Sequence, residues 1–206
     1  MSEERPRGWH ASTDVEELRR AADAMAFLAD VSHALADARD LDASLRALAE
    51  HLVPQFTDLC AVYLVREDVL FPHTVRHADR ERLAFVTDML RRYPLRPDQS
   101  AVLRTGEPLY VPVATPAFLA RWAHDERHLA DIETLEIGSV IAVALEARGS
   151  TLGILQLLRT RGREPFTPAD RDLAVMLAQR AALALDNARI AERERRIART
   201  FQEAAL

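Results

Sequence analysis

After Pro168 the chain carries neither proline nor glycine as far as Leu206, and its apolar residues keep a seven-residue beat. Met176, Leu183, Ile190 and Ile197 fall at that spacing, with Leu177, Ala184, Ala191 and Ala198 beside them. The half-repeat positions Leu173, Arg180, Asn187, Glu194 and Phe201 are apolar at both ends and polar in the middle. A stripe of this length outruns any single small domain, which cannot bury it. A parallel two-fold bundle of residues 14–37 and 171–200 from two copies can. The expectation is therefore a homodimer with Leu18, Met25, Met176, Leu183, Asn187, Ile190 and Ile197 at its interface. Asn187 at the seam would fix the register at some cost in stability.

The start of that helix is equally legible. Thr167 stands as N-cap, Pro168 takes the first helical position and Asp170 completes a capping box. An earlier helix is announced by Thr13-Asp14-Val15-Glu16, also of capping-box form, and carries Leu18, Ala22, Met25 and Ala29, then Leu28, Val31 and Leu35. After a break at 38–40, Leu41, Leu45, Leu48 and Leu52 predict a second helix that Pro54 ends. Residues 1–12 read as a disordered start.

Leu59 to Val65 is almost wholly apolar, the pattern of a strand covered on both faces. Val69 to His77 pairs with it across the turn at 66–68. Helical spacing returns over Asp79–Tyr93 and over Pro116–Leu135, separated by a proline-bounded edge strand near Gly106–Pro112. Ser139–Leu145 and Leu152–Leu158 flank Arg148-Gly149-Ser150 as a hairpin. Short turns between neighbouring strands predict an α+β fold: a mostly antiparallel sheet of five to six strands, helices on both faces, and a long C-terminal helix. The core spans 40–170, with helices 13–38 and 171–206 as appendages.

Composition removes several functions. The 206 residues suffice for one core and are marginal for two domains. No apolar run reaches the roughly 20 residues needed to cross a bilayer, and the first dozen residues have no signal-peptide h-region; a cytoplasmic protein without membrane contact is expected. A net charge of −5 disfavours nucleic acid as a partner. All 27 cationic side chains are arginine, which excludes Schiff-base and phosphate-loop lysine chemistry. Cys60 is the single cysteine, so neither a disulfide nor a cysteine zinc cluster can form within the chain.

The segment from Gly138 through Leu145, then Gly149, Gly153-Ile154-Leu155-Gln156-Leu157 and Pro165-Phe166-Thr167-Pro168-Ala169-Asp170, resembles the C-terminal half of GAF domains. There a hairpin ending in G-x-L-x-L passes through F-T/S-x-x-D into an alanine- and leucine-rich helix, which Ala178–Arg189 is similar to. The resemblance covers about residues 25 to 190. Glu194 to Gln202 resembles the linker that joins such domains to metal-dependent serine/threonine phosphatases of the sporulation-regulator type. These likenesses imply a regulatory, non-catalytic module that senses a small molecule and relays its state through its terminal helices to a phosphatase or kinase domain. The ligand and any cofactor stay unnamed. The family's free methionine sulfoxide reductases need several cysteines, bilin attachment needs a pocket cysteine, and the cyclic-nucleotide members need a lysine; this chain lacks all three.

In the fold so implied, a ligand sits between one sheet face and the helices crossing it. Phe85, Met89, Tyr93, Phe118, Trp122, His124 and His128 lie on those helices and Tyr110 on the nearby strand, a set suited to a small planar or amphipathic ligand. Two other readings stand beside this one. His124 and His128, four apart on one helical face, have the spacing of a metal or haem pair, and the same aromatic residues could simply fill the pocket of a ligand-free dimerisation module. His73 and His77, on one strand face about 13 Å apart, cannot share a metal.

Overall fold

The computed structural model describes residues 11–66, 69–95 and 100–204. Its centre is the hairpin of β4 (Ile137–Ala147) and β5 (Ser150–Thr160). Arg148 and Gly149 both take positive φ, 49° and 77°, the backbone of a tight hairpin turn that matches strand twist. β1 (Leu59–Arg66) pairs with β5, β2 (Val69–His77) with β1 and β3 (Leu109–Val111) with β4. The result is a wholly antiparallel five-stranded sheet in the order β2-β1-β5-β4-β3.

Alternation along the strands divides the interior into two cores. Cys60, Val62 and Leu64 of β1 face α1 (Ala11–Ala36), α2 (Leu41–Leu52) and α7 (Pro168–Ala204). Leu59, Ala61 and Tyr63 face the other way, toward α3 (Arg80–Arg92), α5 (Pro116–Ala120) and α6 (Glu126–Glu133). The near-continuous apolar run of β1 is thus what a strand buried on both faces requires. α4 (Ala101–Thr105), which the sequence reading did not anticipate, closes on Gly106 in the left-handed conformation.

The expected cap at Thr13 is corrected, since α1 already begins at Ala11; residues 1–10 of the expected disordered start lie outside the described residues. Cap chemistry at α7 is as the sequence indicates, and α2 has a cap of its own in the break before it. Asp40 accepts from Ala43 N–H at 2.7 Å. Thr167 N–H donates to Asp170 at 2.8 Å while Asp170 N–H donates to Thr167 Oγ1 at 3.2 Å, a reciprocal box.

Arg159, buried near the end of β5, fastens α7 to the sheet. Its Nε donates to the Phe56 carbonyl at 3.0 Å and its guanidinium pairs with Asp170 at 3.3 Å. The same cation lies 4.2 Å from the Phe166 ring centroid and 5.4 Å from that of Phe56. At the β1 end, Asp58 accepts from Thr160 N–H (2.8 Å) and from Arg163 (2.9 Å). Burial works to raise the Asp58 pKa, but these bonds outweigh it and hold the carboxyl below its ordinary range.

A candidate ligand cavity under the crossing helices

Between β2 and β4 the chain crosses one face of the sheet as α3, α4, β3, α5 and α6, and a cavity of about 60 Å³ opens beneath them. One ordered water needs roughly 10–15 Å³ by this measure, so the space admits several waters or part of one small ring. Five of the eight expected residues line it: Met89, Tyr93, Trp122, His124 and His128.

Three expectations are corrected. Tyr110 is on the opposite face: in β3, Leu109 and Val111 join the core beneath the crossing helices, so period-two alternation turns Tyr110 toward α7. There its hydroxyl donates to the Phe166 carbonyl at 2.8 Å. Phe85 is 39% exposed, because α3 buries Val86 and Met89 and leaves Phe85 on its outer side. Phe118 does not line the cavity; its ring packs on Trp122 with centroids 4.7 Å apart.

The continuous helix expected over Pro116–Leu135 is two short ones. Asp125, in extended backbone, caps α6 by accepting from His128 N–H at 2.7 Å, which leaves His124 outside the helix. The two histidines therefore do not share a helical face, though their ring centroids are 5.2 Å apart. His124 N–H donates to His128 Nδ1 at 3.1 Å, and the His128 ring stacks on Tyr93 at 4.0 Å. Among the described residues no three histidine, cysteine, aspartate or glutamate side chains are grouped to hold a metal ion. His73 and His77 do not share a strand face either. The register skips His73 as a bulge, His73 pairs with Asp42 of α2 at 3.2 Å, and His77 is buried at the strand end with Nδ1 accepting from Asp79 N–H at 2.9 Å.

Sequence reasoning missed the cavity floor. Tyr63 of β1 and Gln156 of β5 are both buried there, and the tyrosine hydroxyl donates to Gln156 Oε1 at 3.2 Å. A signal existed: Gln156 is the one polar residue in Leu152–Leu158, and a polar group so enclosed needs a partner. Burial raises the Tyr63 pKa strongly, so its hydroxyl stays protonated as a donor. Cys60, on the opposite face, is pushed up to about 12 by burial and is a small hydrophobe, not a nucleophile.

Burial lowers the His128 pKa, with His124 adding to the effect and Asp125 and Asp131 opposing it. His77 is lowered by burial too, against Asp79. An unfolded histidine titrates near 6.5, so below that pH the unfolded chain binds protons that the native chain refuses, and stability falls with falling pH. The melting temperature is expected to drop between about pH 7.5 and about pH 5.5. His128→Asn keeps an acceptor for His124 N–H but cannot titrate, so it should remove part of the drop and leave the share of His77. A thermal denaturation series across that range checks this; an unchanged slope would refute it.

Along the terminal helices, Leu18 (71%), Met25 (62%), Leu183 (52%), Ile190 (38%) and Ile197 (46%) are exposed. Met176 departs from the expected stripe, being packed against the chain's own core. The seam residues have partners of their own. Arg180 donates to Ser32 Oγ of α1 at 3.0 Å, and Asn187 accepts from Arg148 of the β4–β5 turn at 3.2 Å. Arg148 also pairs with Asp186 at 3.2 Å. No helix among the described residues is long and apolar enough to cross a membrane.

The GAF domain family model matches residues 40–185. Among solved structures, the chain is similar to the GAF domain of a phosphoenolpyruvate-protein phosphotransferase from Coxiella burnetii, with TM-score 0.64 and 16% identity over 84% of this chain and 98% of that one. It is similar to a GAF domain/HD domain protein from Geobacter sulfurreducens, with TM-score 0.58 and 22% identity over 76% and 98%. It is also similar to the free methionine-R-sulfoxide reductase of Neisseria meningitidis in complex with its substrate, with TM-score 0.61 and 19% identity over 84% and 93%. At these identities the likeness is one of fold. No curated protein sequence matches the chain.

Proposed function

The chain belongs to the GAF domain family, sensory or regulatory modules of many signalling proteins, and from that premise we propose that it is a non-catalytic cytoplasmic sensor. In this reading it binds a small molecule in the cavity under α3 and α6. It dimerises through α1 and α7 and relays its state along α7 to an effector, such as a serine/threonine phosphatase or a kinase. One observation carries the reading: the exposed apolar stripe of α7 continues from Leu183 through Ile190 to Ile197, past the last residue that the family model matches. Such a stripe on a helix leaving its domain suits a second copy of the same helix. The resemblance of Glu194–Gln202 to a phosphatase linker supports the choice of effector, and the Geobacter protein pairs the same kind of domain with an HD domain.

Trp122, on the cavity wall, is the natural reporter. In a metabolite screen by thermal shift, a true ligand at a hundredfold excess over its dissociation constant should stabilise the protein by about 2.7 kcal/mol. Trp122→Ala should abolish that gain while lowering the unliganded melting temperature much less. If no compound moves the melting temperature, the module is ligand-free and serves dimerisation alone.

A further inference from the structure

We propose that the cavity selects an uncharged ring compound that accepts hydrogen bonds; the inference rests on the reading of the cavity as a ligand site. Among the described residues its walls contain no aspartate, glutamate or arginine. An ionic ligand would therefore lose its hydration with no counter-charge from these residues in return, a heavy penalty in a largely apolar enclosure.

The polar atoms on offer are donors. Gln156 already receives the Tyr63 hydroxyl on Oε1, which leaves its amide N–H groups without a protein partner among the described residues. His128 receives His124 N–H on Nδ1, so its neutral ring carries the proton on Nε2. Both residues line the cavity, one from the floor and one from the wall. A carbonyl or aromatic nitrogen would satisfy them; an ammonium, which only donates, would not. The parallel stack of Tyr93 on His128, with Trp122 in the same wall, presents flat π surfaces, and the size of the space limits the ligand to a single ring.

Three probes of matched shape and different charge test this: benzamide, benzoate and benzylammonium. Each is titrated against the full chain carrying Trp9→Phe, so that Trp122 is the sole tryptophan. Near neutral pH, benzamide is expected to change Trp122 fluorescence with a dissociation constant at least about tenfold below those of the two ions. Gln156→Met should weaken benzamide by about fivefold to tenfold, the loss of one hydrogen bond. That substitution also strips Tyr63 of its acceptor, so the double variant Tyr63→Phe/Gln156→Met, which leaves no orphaned hydroxyl, should fold normally and show the same loss. Benzoate or benzylammonium binding as tightly as benzamide overturns the ligand class and leaves the sensor reading intact. Benzamide binding that ignores Gln156→Met also overturns the proposal. Silence from all three probes together with a blank metabolite screen overturns both readings.

Discussion

Gly153→Ala is expected to lower the melting temperature by about 6–12 °C, from a loss of about 3 kcal/mol or more. A methyl group at this position would lie 1.9 Å from the Tyr63 carbonyl oxygen and 3.1 Å from the Leu64 α-carbon of the neighbouring strand. The obstacle is backbone, not the end of a flexible side chain, so β1 and β5 would have to part by more than an ångström at the centre of the sheet. Gly153 sits in register with Leu64, one residue from the Tyr63–Ile154 pair, so the disturbance reaches the cavity floor. The control is Gly162→Ala, where an added methyl meets nothing within 4 Å and no unusual φ is required; it should be neutral or slightly stabilising. Equal effects at the two glycines would refute the packing argument.

Ile190→Asp is expected to convert a dimer into a folded monomer. Within one chain Ile190 is exposed enough for a carboxylate to remain hydrated, so the fold should survive. At a two-fold seam the same carboxylate is buried without a partner, at about 3–5 kcal/mol. Two copies meet there, so the dissociation constant should rise by at least about a thousandfold. Light scattering should give the mass of two chains for the parent and of one for the variant. Val113→Asp, more exposed and away from the stripe, should leave the mass unchanged. A monomeric parent at micromolar concentration, or an Ile190→Asp variant that remains dimeric, would end the dimer proposal.

What could be read from the residues was whatever depends on neighbours in the chain. The β4–β5 hairpin, the Thr167–Asp170 box and the two-faced burial of β1 all follow from local spacing and cap chemistry. Orientation at a distance was less accessible. Helical spacing put His124 and His128 on one helix, but Asp125 competed for the His128 N–H and started α6 afresh, a choice that its short side chain makes as readily at a cap as inside a turn. Tyr110 lies on the strand nearest the crossing helices, but alternation within the three residues of β3 turns it away from the cavity. The bulge at His73 reversed a period-two argument in the same manner. Tyr63 and Gln156 lie on strands far apart in sequence, and only the β1–β5 pairing brings them together.

The Arg159 clamp has a mechanical consequence. It pins the first turn of α7 to β5, and Arg148 tethers the helix again beside Asp186 and Asn187. Beyond that second tether the helix projects to Ala204, an extension roughly 25 Å long at 1.5 Å per residue. A rod packed along one sheet from Leu173 to Leu185 turns a small change in the tilt of that sheet into a larger sweep at its tip. Helix displacements at switching interfaces are typically about 1–2 Å, and a lever of this length reaches them with a tilt of only a few degrees. Arg148 is on the turn that joins the two central strands, and β5 carries Gln156 on the cavity floor. The proposed relay would run from that strand through this fulcrum to the helix tip.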